Sequence, residues 1–476
     1  MTASPRKTDI ASLSAVELAR LYRSGALSPV EAVRDALARA ERFEPAVNAF
    51  VSRDEATTLA EARASEARWR EGRLLGPLDG VPVTIKDNIA VRGWTNHRGS
   101  AVTPRDLMTE DAPVVARLRE GGAVFLGKTT MPEYGWKGVG DSPLSGVTRN
   151  PWNTATGPGG SSAGAAVCAA LNVGCVHIGT DGAGSIRIPA AFSGVFGIKS
   201  TYGRVPAYPV STMGFLAHVG PLTRTVEDAA IALSVIGQPD SRDMTAFREP
   251  PPDYRIGLAD GVRGLRIAWS PTLGYVDKVH PEIAALTARA AHVFADLGAV
   301  VEKADPGFSD PLDTLTTLWS AGAALALRPF TPEQRSRMDP GLVAVAEMGE
   351  RQPASAYVEA LLFARNALAG AMAAFHRTYD LLLTPTLPLP AFEAGRNTPA
   401  DGSYGEDWAA WTPFTYPFNI TQQPAASVPC GITQTGLPAG LQIVGPYGAD
   451  ALVLRAARAF EAAMPFATLE APRPPG

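Results

Sequence analysis

Three short stretches of this chain hold side chains that could do chemistry together. The richest is 157–164, GPGGSSAG, where two serines sit among glycines. As a phosphate loop it fails: Gly159 and Gly164 have the right separation, but Ala165 and Ala166 stand where the lysine and hydroxyl residue belong. As a dinucleotide fingerprint it also fails, because Ser162 occupies the third glycine position. Gly160-Ser161-Ser162-Ala163-Gly164 does match the G-x-S-x-G elbow of serine hydrolases, with Ser162 as nucleophile. That elbow needs an acid and then a histidine later in the chain. The last histidine, His376, precedes its nearest acid, Asp380, which is the wrong order. A tight glycine turn capping a helix is the plain alternative.

In the second stretch, TDGAGSIRIP at 180–189, Ser185 lies among small residues at a strand-to-helix junction. Small residues let backbone N–H groups approach a ligand, and a helix start supplies unpaired donors. An oxyanion hole needs that geometry. The third stretch is VPVTIKDN, where Lys86 ends an apolar strand. A lysine desolvated there would have a lowered pKa and could act as a general base; paired with a carboxylate it would be an ordinary salt bridge.

The elements that must position these groups can be read from local signals. Ser14 with Glu17, and Ser28 with Glu31 and Pro29, predict capping boxes for two opening helices, with Gly25 and Pro45 as their stops. A polar helix follows over about 53–72. VPVTIK, the helix APVVARLREGG and AVFLGK then alternate as strand, helix, strand, which is α/β. A small-residue helix is expected at 161–173, a strand at 175–179 and a helix at 226–236. The Pro-rich EPPPDY at 249–254 reads as a linker or an insertion point. After it come LRIAWSP, a helix over about 281–297, VVEKAD, and long helices near 309–327 and 354–378. The strands DLLLTP, ASVPCGI and GLQIVG and a helix over about 449–463 close the chain. The expectation is one large domain over 1–476, with the helices of about 1–72 packing on it.

Composition narrows the class. Lys+Arg 43 against Asp+Glu 47 leave a net charge of -4, which argues against an obligate nucleic-acid binder. The three cysteines, Cys168, Cys175 and Cys430, imply no disulfide framework, and no Cys/His set completes a metal site. The first twenty residues lack the apolar core of a signal peptide. No uninterrupted run reaches the roughly 18 apolar residues of a membrane span. A cytoplasmic enzyme is therefore expected, without metal or cofactor and without a nucleic-acid or membrane partner. His97 and His177 are isolated and receive no role. Tyr404, Trp408, Trp411, Phe414, Tyr416 and Phe418 form a dense aromatic group that would line a pocket or pack a core. Trp408, Trp411 and Phe414 of this group, together with Trp136, are the pocket candidates.

Taken together, these segments resemble the amidase signature family of serine hydrolases. Residues 157–170, GPGGSSAGAAVCAA, match its Gly/Ser-rich core, and TDGAGSIRIPAAFSGVFGIKSTYGRVP matches the stretch after it. GVPVTIKDN matches its lysine motif, and NPWN, GPLTRTVEDAA and LPAGLQIVGP match further segments, from about residue 10 to 465. The resemblance implies an α/β fold with a large mixed central sheet covered by helices on both faces. It also implies a Ser–cis-Ser–Lys triad: Ser185 as nucleophile, Ser161 as the bridging serine after a cis peptide from Gly160, and Lys86 as base. The N–H groups of Gly182, Ala183, Gly184 and Ser185 would form the oxyanion hole. Ser162 becomes a supporting hydroxyl, and Asp181 and Arg187 hold the loop. Ala183 and Ala163 depart from the glycines usual there; alanine keeps the N–H but disfavours positive φ.

The implied activity is hydrolysis of a non-peptide carbon–nitrogen bond. The substrate would be a small apolar or aromatic amide, with anilides and carbamates within reach, cleaved through an acyl-enzyme. The alternative is the glutamine-hydrolysing component of a tRNA-dependent amidotransferase, a branch with the same triad. It would need partner subunits, an ammonia tunnel and a site for the charges of glutamine, which the aromatic stretch at 404–418 does not help to build. Homo-oligomerisation is open.

Overall fold

The expected capping boxes start the first two helices, Ala15–Ser24 and Pro29–Val47. The first stops at Gly25, which takes a left-handed φ of 67°. The second runs through Pro45, its expected stop, and ends at Asn48. A proline in a last turn forfeits one hydrogen bond, and burial of Phe43 and Val47 on either side of it holds the helix together. The computed structural model describes residues 9–474, so the first eight residues of the stretch read for a signal peptide lie outside the described residues.

Strands on both sides of the Pro-rich segment 249–254 join one 11-stranded sheet. Side by side lie Phe50–Ser52, Val124–Thr129, Pro82–Lys86, Val176–Asp181, His218–Thr223, Phe196–Lys199, Ala425–Ile432, Pro438–Val444, Leu381–Pro385, Arg266–Trp269 and Val300–Lys303. The sheet is mixed: Pro82–Lys86 runs parallel to both its neighbours, whereas Val176–Asp181 and His218–Thr223 are antiparallel. Phe50–Ser52, Phe196–Lys199 and His218–Thr223 are strands that the sequence reading did not separate from their loops.

Alternation along Val124–Thr129 shows why both faces are covered. Val124 and Leu126 pack with Val33 and Leu37 of the second helix, while Phe125 between them joins the opposite core with Leu233 and Phe460. Side chains at successive strand positions point to opposite faces, so a strand apolar at every position needs helices on both. Helices Val226–Ile236, Pro281–Asp296 and Asp450–Ala463 serve one face.

The two long helices expected after 309 are present as Leu312–Leu327 and Ala354–Phe375, the second containing a π-helical turn at Ala360–Ala364. Pro332–Arg335 and Pro340–Arg351 lie between them and were not anticipated. Among the described residues, Ala354–Phe375 is the helix long and apolar enough to cross a membrane by length and composition, an 18-residue window of it having mean hydropathy 1.3. Glu359 and Arg365 interrupt it, which is why no uninterrupted apolar run is seen in the sequence.

Candidate active site

The strand Pro82–Lys86 delivers Lys86 into the protein, where its side chain is fully buried. Its ammonium nitrogen meets neutral oxygens: Ser161 Oγ at 2.7 Å, Thr180 Oγ1 at 2.9 Å, Ser162 Oγ at 3.0 Å and Thr180 O at 3.3 Å. None of these is a carboxylate, so the salt-bridge reading fails. Burial pushes the Lys86 pKa well below 10.5, and the charge of Asp181 opposes that only in part.

Ser161 and Ser162 enter at the turn before the helix Ala163–Ala170. The Gly160–Ser161 peptide is cis. A side chain on Gly160 would run into the carbonyl of Val139, which is why this position is glycine. Ser162 Oγ donates to Thr180 O at 3.1 Å and accepts from Thr180 N at 3.2 Å. Its hydroxyl proton is thus engaged, and its side chain is buried off the cavity, which removes the elbow reading of Ser162 as nucleophile.

Ser185 follows the strand Val176–Asp181 and precedes the helix Arg187–Ser193. Ser162 N donates to Ser185 O at 3.1 Å, tying the two serine-bearing turns together. Ser161 and Ser185 line the same cavity, of about 170 Å³. Of the four N–H groups expected to face an oxyanion, that of Gly184 is withdrawn: it donates to Asp181 Oδ1 at 2.7 Å. Those of Gly182, Ala183 and Ser185 have no partner among the described residues. Gly184 needs its glycine, with φ 127° and Thr415 Oγ1 only 2.5 Å from where a Cβ would stand. Ala183 and Ala163 are not among the positive-φ residues, so their side chains cost the backbone nothing.

Beneath this loop lies a buried polar network. Asp181 accepts from Arg187 Nε at 3.0 Å, from Arg187 Nη2 at 2.9 Å and from Asn419 Nδ2 at 2.9 Å. Burial alone would raise the Asp181 pKa. The charge and hydrogen bonds of Arg187, with the charge of Lys199, outweigh it and hold the carboxyl far below the usual range. Arg187 also donates to Thr415 O at 2.8 Å and Gln442 Oε1 at 2.7 Å. Asp181 and Arg187 therefore sit together behind the loop and do not line the cavity.

Trp136, Trp408, Trp411 and Phe414 do not line the cavity either. Trp136 and Trp408 pack behind Trp319, Trp411 stacks on Phe192 at 5.8 Å, and Phe414 joins the core around Phe418. The aromatic residues on the cavity wall are Tyr134, Tyr208 and Trp319, and Arg98 is the charged one among the described residues. Trp319 was not legible because nothing in the helix Leu312–Leu327 marks which face meets the site. Thr180, Thr415 and Asn419 were also missed, although Thr415 and Asn419 stand out as polar positions within the aromatic TPFTYPFNI.

The family model described as Amidase matches residues 31–454. The chain is 37% identical over 461 residues to an acylamidase of Rhodococcus erythropolis, covering 96% of each. It is 36% identical over 486 residues to the A-type component of the glutamyl-tRNA(Gln) amidotransferase of Myxococcus xanthus, covering 97% of this chain and 99% of that one. Among solved structures it resembles a bacterial aryl acylamidase belonging to the amidase signature enzymes, with TM-score 0.88, 32% identity and 95% and 96% of the two chains covered. A 6-aminohexanoate cyclic dimer hydrolase complexed with substrate gives TM-score 0.87 at 29% identity, over 96% and 98%.

Proposed function

The chain belongs to the amidase signature family, and from that premise we propose a stand-alone amidase of small uncharged amides, anilides and aryl carbamates. Ser185 is the nucleophile, Ser161 the relay and Lys86 the base. The observation that carries the substrate class is the charge inventory of the cavity. Arg98 could meet a carboxylate, but among the described residues no carboxylate lines the cavity to meet the α-ammonium of glutamine. A buried unpaired ammonium is costly, and that weighs against the amidotransferase alternative. Likeness to the acylamidase of Rhodococcus erythropolis and to the aryl acylamidase structure supports the same reading.

The chemistry follows from the proton inventory. A serine hydroxyl is a weak nucleophile until a base takes its proton. Ser162 spends its proton on Thr180 O, and Asn88 Nδ2 donates to Thr180 Oγ1 at 3.1 Å. Ser161 Oγ, at 2.7 Å the nearest of the oxygens around Lys86 Nζ, is the hydroxyl that gives its proton to the lone pair of neutral Lys86. Lys86 takes the Ser161 proton as Ser161 takes that of Ser185, and the Ser185 oxygen bonds to the substrate carbonyl carbon. The electron pair moves onto the carbonyl oxygen, where the N–H groups of Gly182, Ala183 and Ser185 receive it. Collapse expels the amine as its nitrogen takes from Lys86, through Ser161, the proton that Ser185 gave up. Water then cleaves the acyl–Ser185 ester by the same relay.

The test is amine or ammonia release from aliphatic amides, anilides, aryl carbamates and glutamine. Turnover of anilides or apolar amides should fall at least about 10³-fold in Ser185→Ala. Reaction with glutamine alone would replace this reading by the amidotransferase one. Activity that survives Ser185→Ala would remove the proposed nucleophile.

A further inference from the structure

Two stretches meet at the wall of the cavity that holds Ser161 and Ser185, and each contributes a residue in an unusual backbone state. Among the described residues, six that are not glycine have positive φ. Two of them, Arg98 at 58° and Tyr134 at 53°, are joined by a hydrogen bond from Tyr134 N to Arg98 O at 2.7 Å, and both line the cavity. Left-handed backbone is costly for side chains of this size and persists only where the surroundings impose it. Here they do. Asp87 accepts from Gly99 N at 3.0 Å and from His97 N at 3.3 Å, and Ser100 Oγ donates to Glu133 Oε1 at 2.5 Å. The residues on both sides of Arg98 are thus tied to buried carboxylates.

Those carboxylates are spent elsewhere. The second oxygen of Glu133 accepts from Asp339 N at 2.6 Å, and Asp87 faces Lys128 Nζ at 4.0 Å. Among the described residues, no carboxylate lies within ion-pair distance, 4.0 Å, of the Arg98 guanidinium. That group stands 5.9 Å from the ring of Tyr134, itself a residue of the wall, so the charge is held at the wall. A cation over a ring face keeps its edge N–H donors available, and arginine carries five. Arg98 is half-buried, not sealed, and among the described residues it is the charged side chain that lines this cavity. The fold thus fixes a permanent cation beside Ser161 and Ser185 and gives it no counter-ion.

We propose that Arg98 is the docking point for a carboxylate carried by the substrate away from its scissile amide. The inference rests on the amidase reading above and widens its substrate class, from uncharged amides to amides with one carboxylate and no ammonium. The wall offers a cation to the first group and no anion to the second. Guanidinium and carboxylate pair through charge-assisted hydrogen bonds, often two at once, which are stronger than bonds between neutral groups. Arg98 binds and selects; the reacting atoms are handled by Ser185, Ser161 and Lys86.

Matched pairs test this through release of the arylamine: 3- and 4-acetamidobenzoate against their carboxamides, and the monoanilide of glutaric acid against that of its amide. Members of a pair have nearly the same shape and differ in charge. The wild-type enzyme should favour the carboxylate of at least one pair by about tenfold or more in kcat/KM, chiefly through KM. Arg98→Asn should bring that ratio to about one or below while leaving the carboxamide within about threefold of wild type. Asparagine takes left-handed φ readily, so the loop keeps its course. Arg98→Lys, which keeps the charge and loses the fork, should retain part of the preference. A wild-type ratio at or below one in every pair overturns the inference, whatever the variants do, and leaves the amidase reading standing. A preference that survives Arg98→Asn in a folded protein overturns it as well. Failure of the wild type to cleave any anilide, charged or not, would instead defeat the anilide reading and this inference with it, so the two failures are told apart.

Discussion

Thr415 Oγ1 donates to the carbonyl oxygen of Ala183 at 2.7 Å, joining two residues 232 positions apart. Ala183 sits in the middle of the loop between the strand Val176–Asp181 and Ser185, and Thr415 lies in the aromatic segment that packs behind it. The hydroxyl thereby fixes the Ala183–Gly184 peptide, whose N–H is the one spent on Asp181 Oδ1, and so anchors the loop from which the N–H groups of Gly182, Ala183 and Ser185 are proposed to act. Thr415→Val keeps the volume and removes the donor. We expect kcat to fall by about 10- to 100-fold with KM little changed, since a misaimed donor is felt most in the transition state. Steady-state kinetics on the best amide would show it; unchanged kcat would mean that the loop holds without this tie.

The protonation state of Lys86 should shape the pH profile. Burial lowers its pKa from 10.5 in the folded enzyme, and the proposed base is the neutral amine. Activity therefore falls as pH drops through the folded pKa and reaches a plateau above it. Linkage gives stability the same direction. Between the lowered folded pKa and 10.5 the unfolded chain binds more protons at this site, so folding stability gains from Lys86 as pH rises through that window. A kcat/KM profile with no acid-side fall down to the pH at which the protein unfolds would count against Lys86 as the base.

Arg187 and Asp181 are both fully buried and meet at 2.9 Å. Arg187→Met leaves the carboxylate without its cation in the protein interior. The expected loss is about 3–5 kcal/mol of stability, read from a urea unfolding midpoint. Combining it with Asp181→Asn should recover part of that loss, because no unpaired charge remains. A double variant that is no more stable than Arg187→Met would show that hydrogen bonds, and not charge pairing, dominate this network.

A Cβ placed on Gly182 would stand 2.9 Å from Cζ3 of Trp319. Gly182→Ala should therefore push the loop or the indole out of place and lower kcat/KM by about tenfold or more. Trp319→Phe removes the colliding ring and should restore part of the activity in the double variant. If Gly182→Ala alone is fully active, Trp319 is free to yield and does not set the shape of the loop.

Lys86 and Ser185 stood out because each sits in a short run whose residue types are constrained by the backbone itself, whereas Ser161 was picked out only by the resemblance. Glycines stand where no Cβ fits, a lysine ends an apolar strand, and a serine follows small residues at a strand end. The helix starts were legible for a similar reason: Ser14 and Glu17 satisfy the first N–H groups locally, whatever the rest of the chain does. Phe196–Lys199 and His218–Thr223 were not, since a short strand exists only once its neighbours supply the other half of its hydrogen bonds. Pro45 misled for the opposite reason: burial around it outweighs a local helix-breaking rule.

By itself the sequence determined the α/β class through its alternating strand and helix patterns, and its resemblance to the amidase signature motifs pointed to the family and to the three residues of the proposed triad. Only the tertiary structure decided what surrounds them. It withdrew the Gly184 N–H by setting Asp181 beneath it, packed Trp136 and Trp408 behind Trp319, and sent Trp411 and Phe414 into the core around Phe192 and Phe418. Hydrogen-bond donors and acceptors are spent on neighbours from anywhere in the chain. Which of them remain for a substrate is therefore a property of the packed molecule.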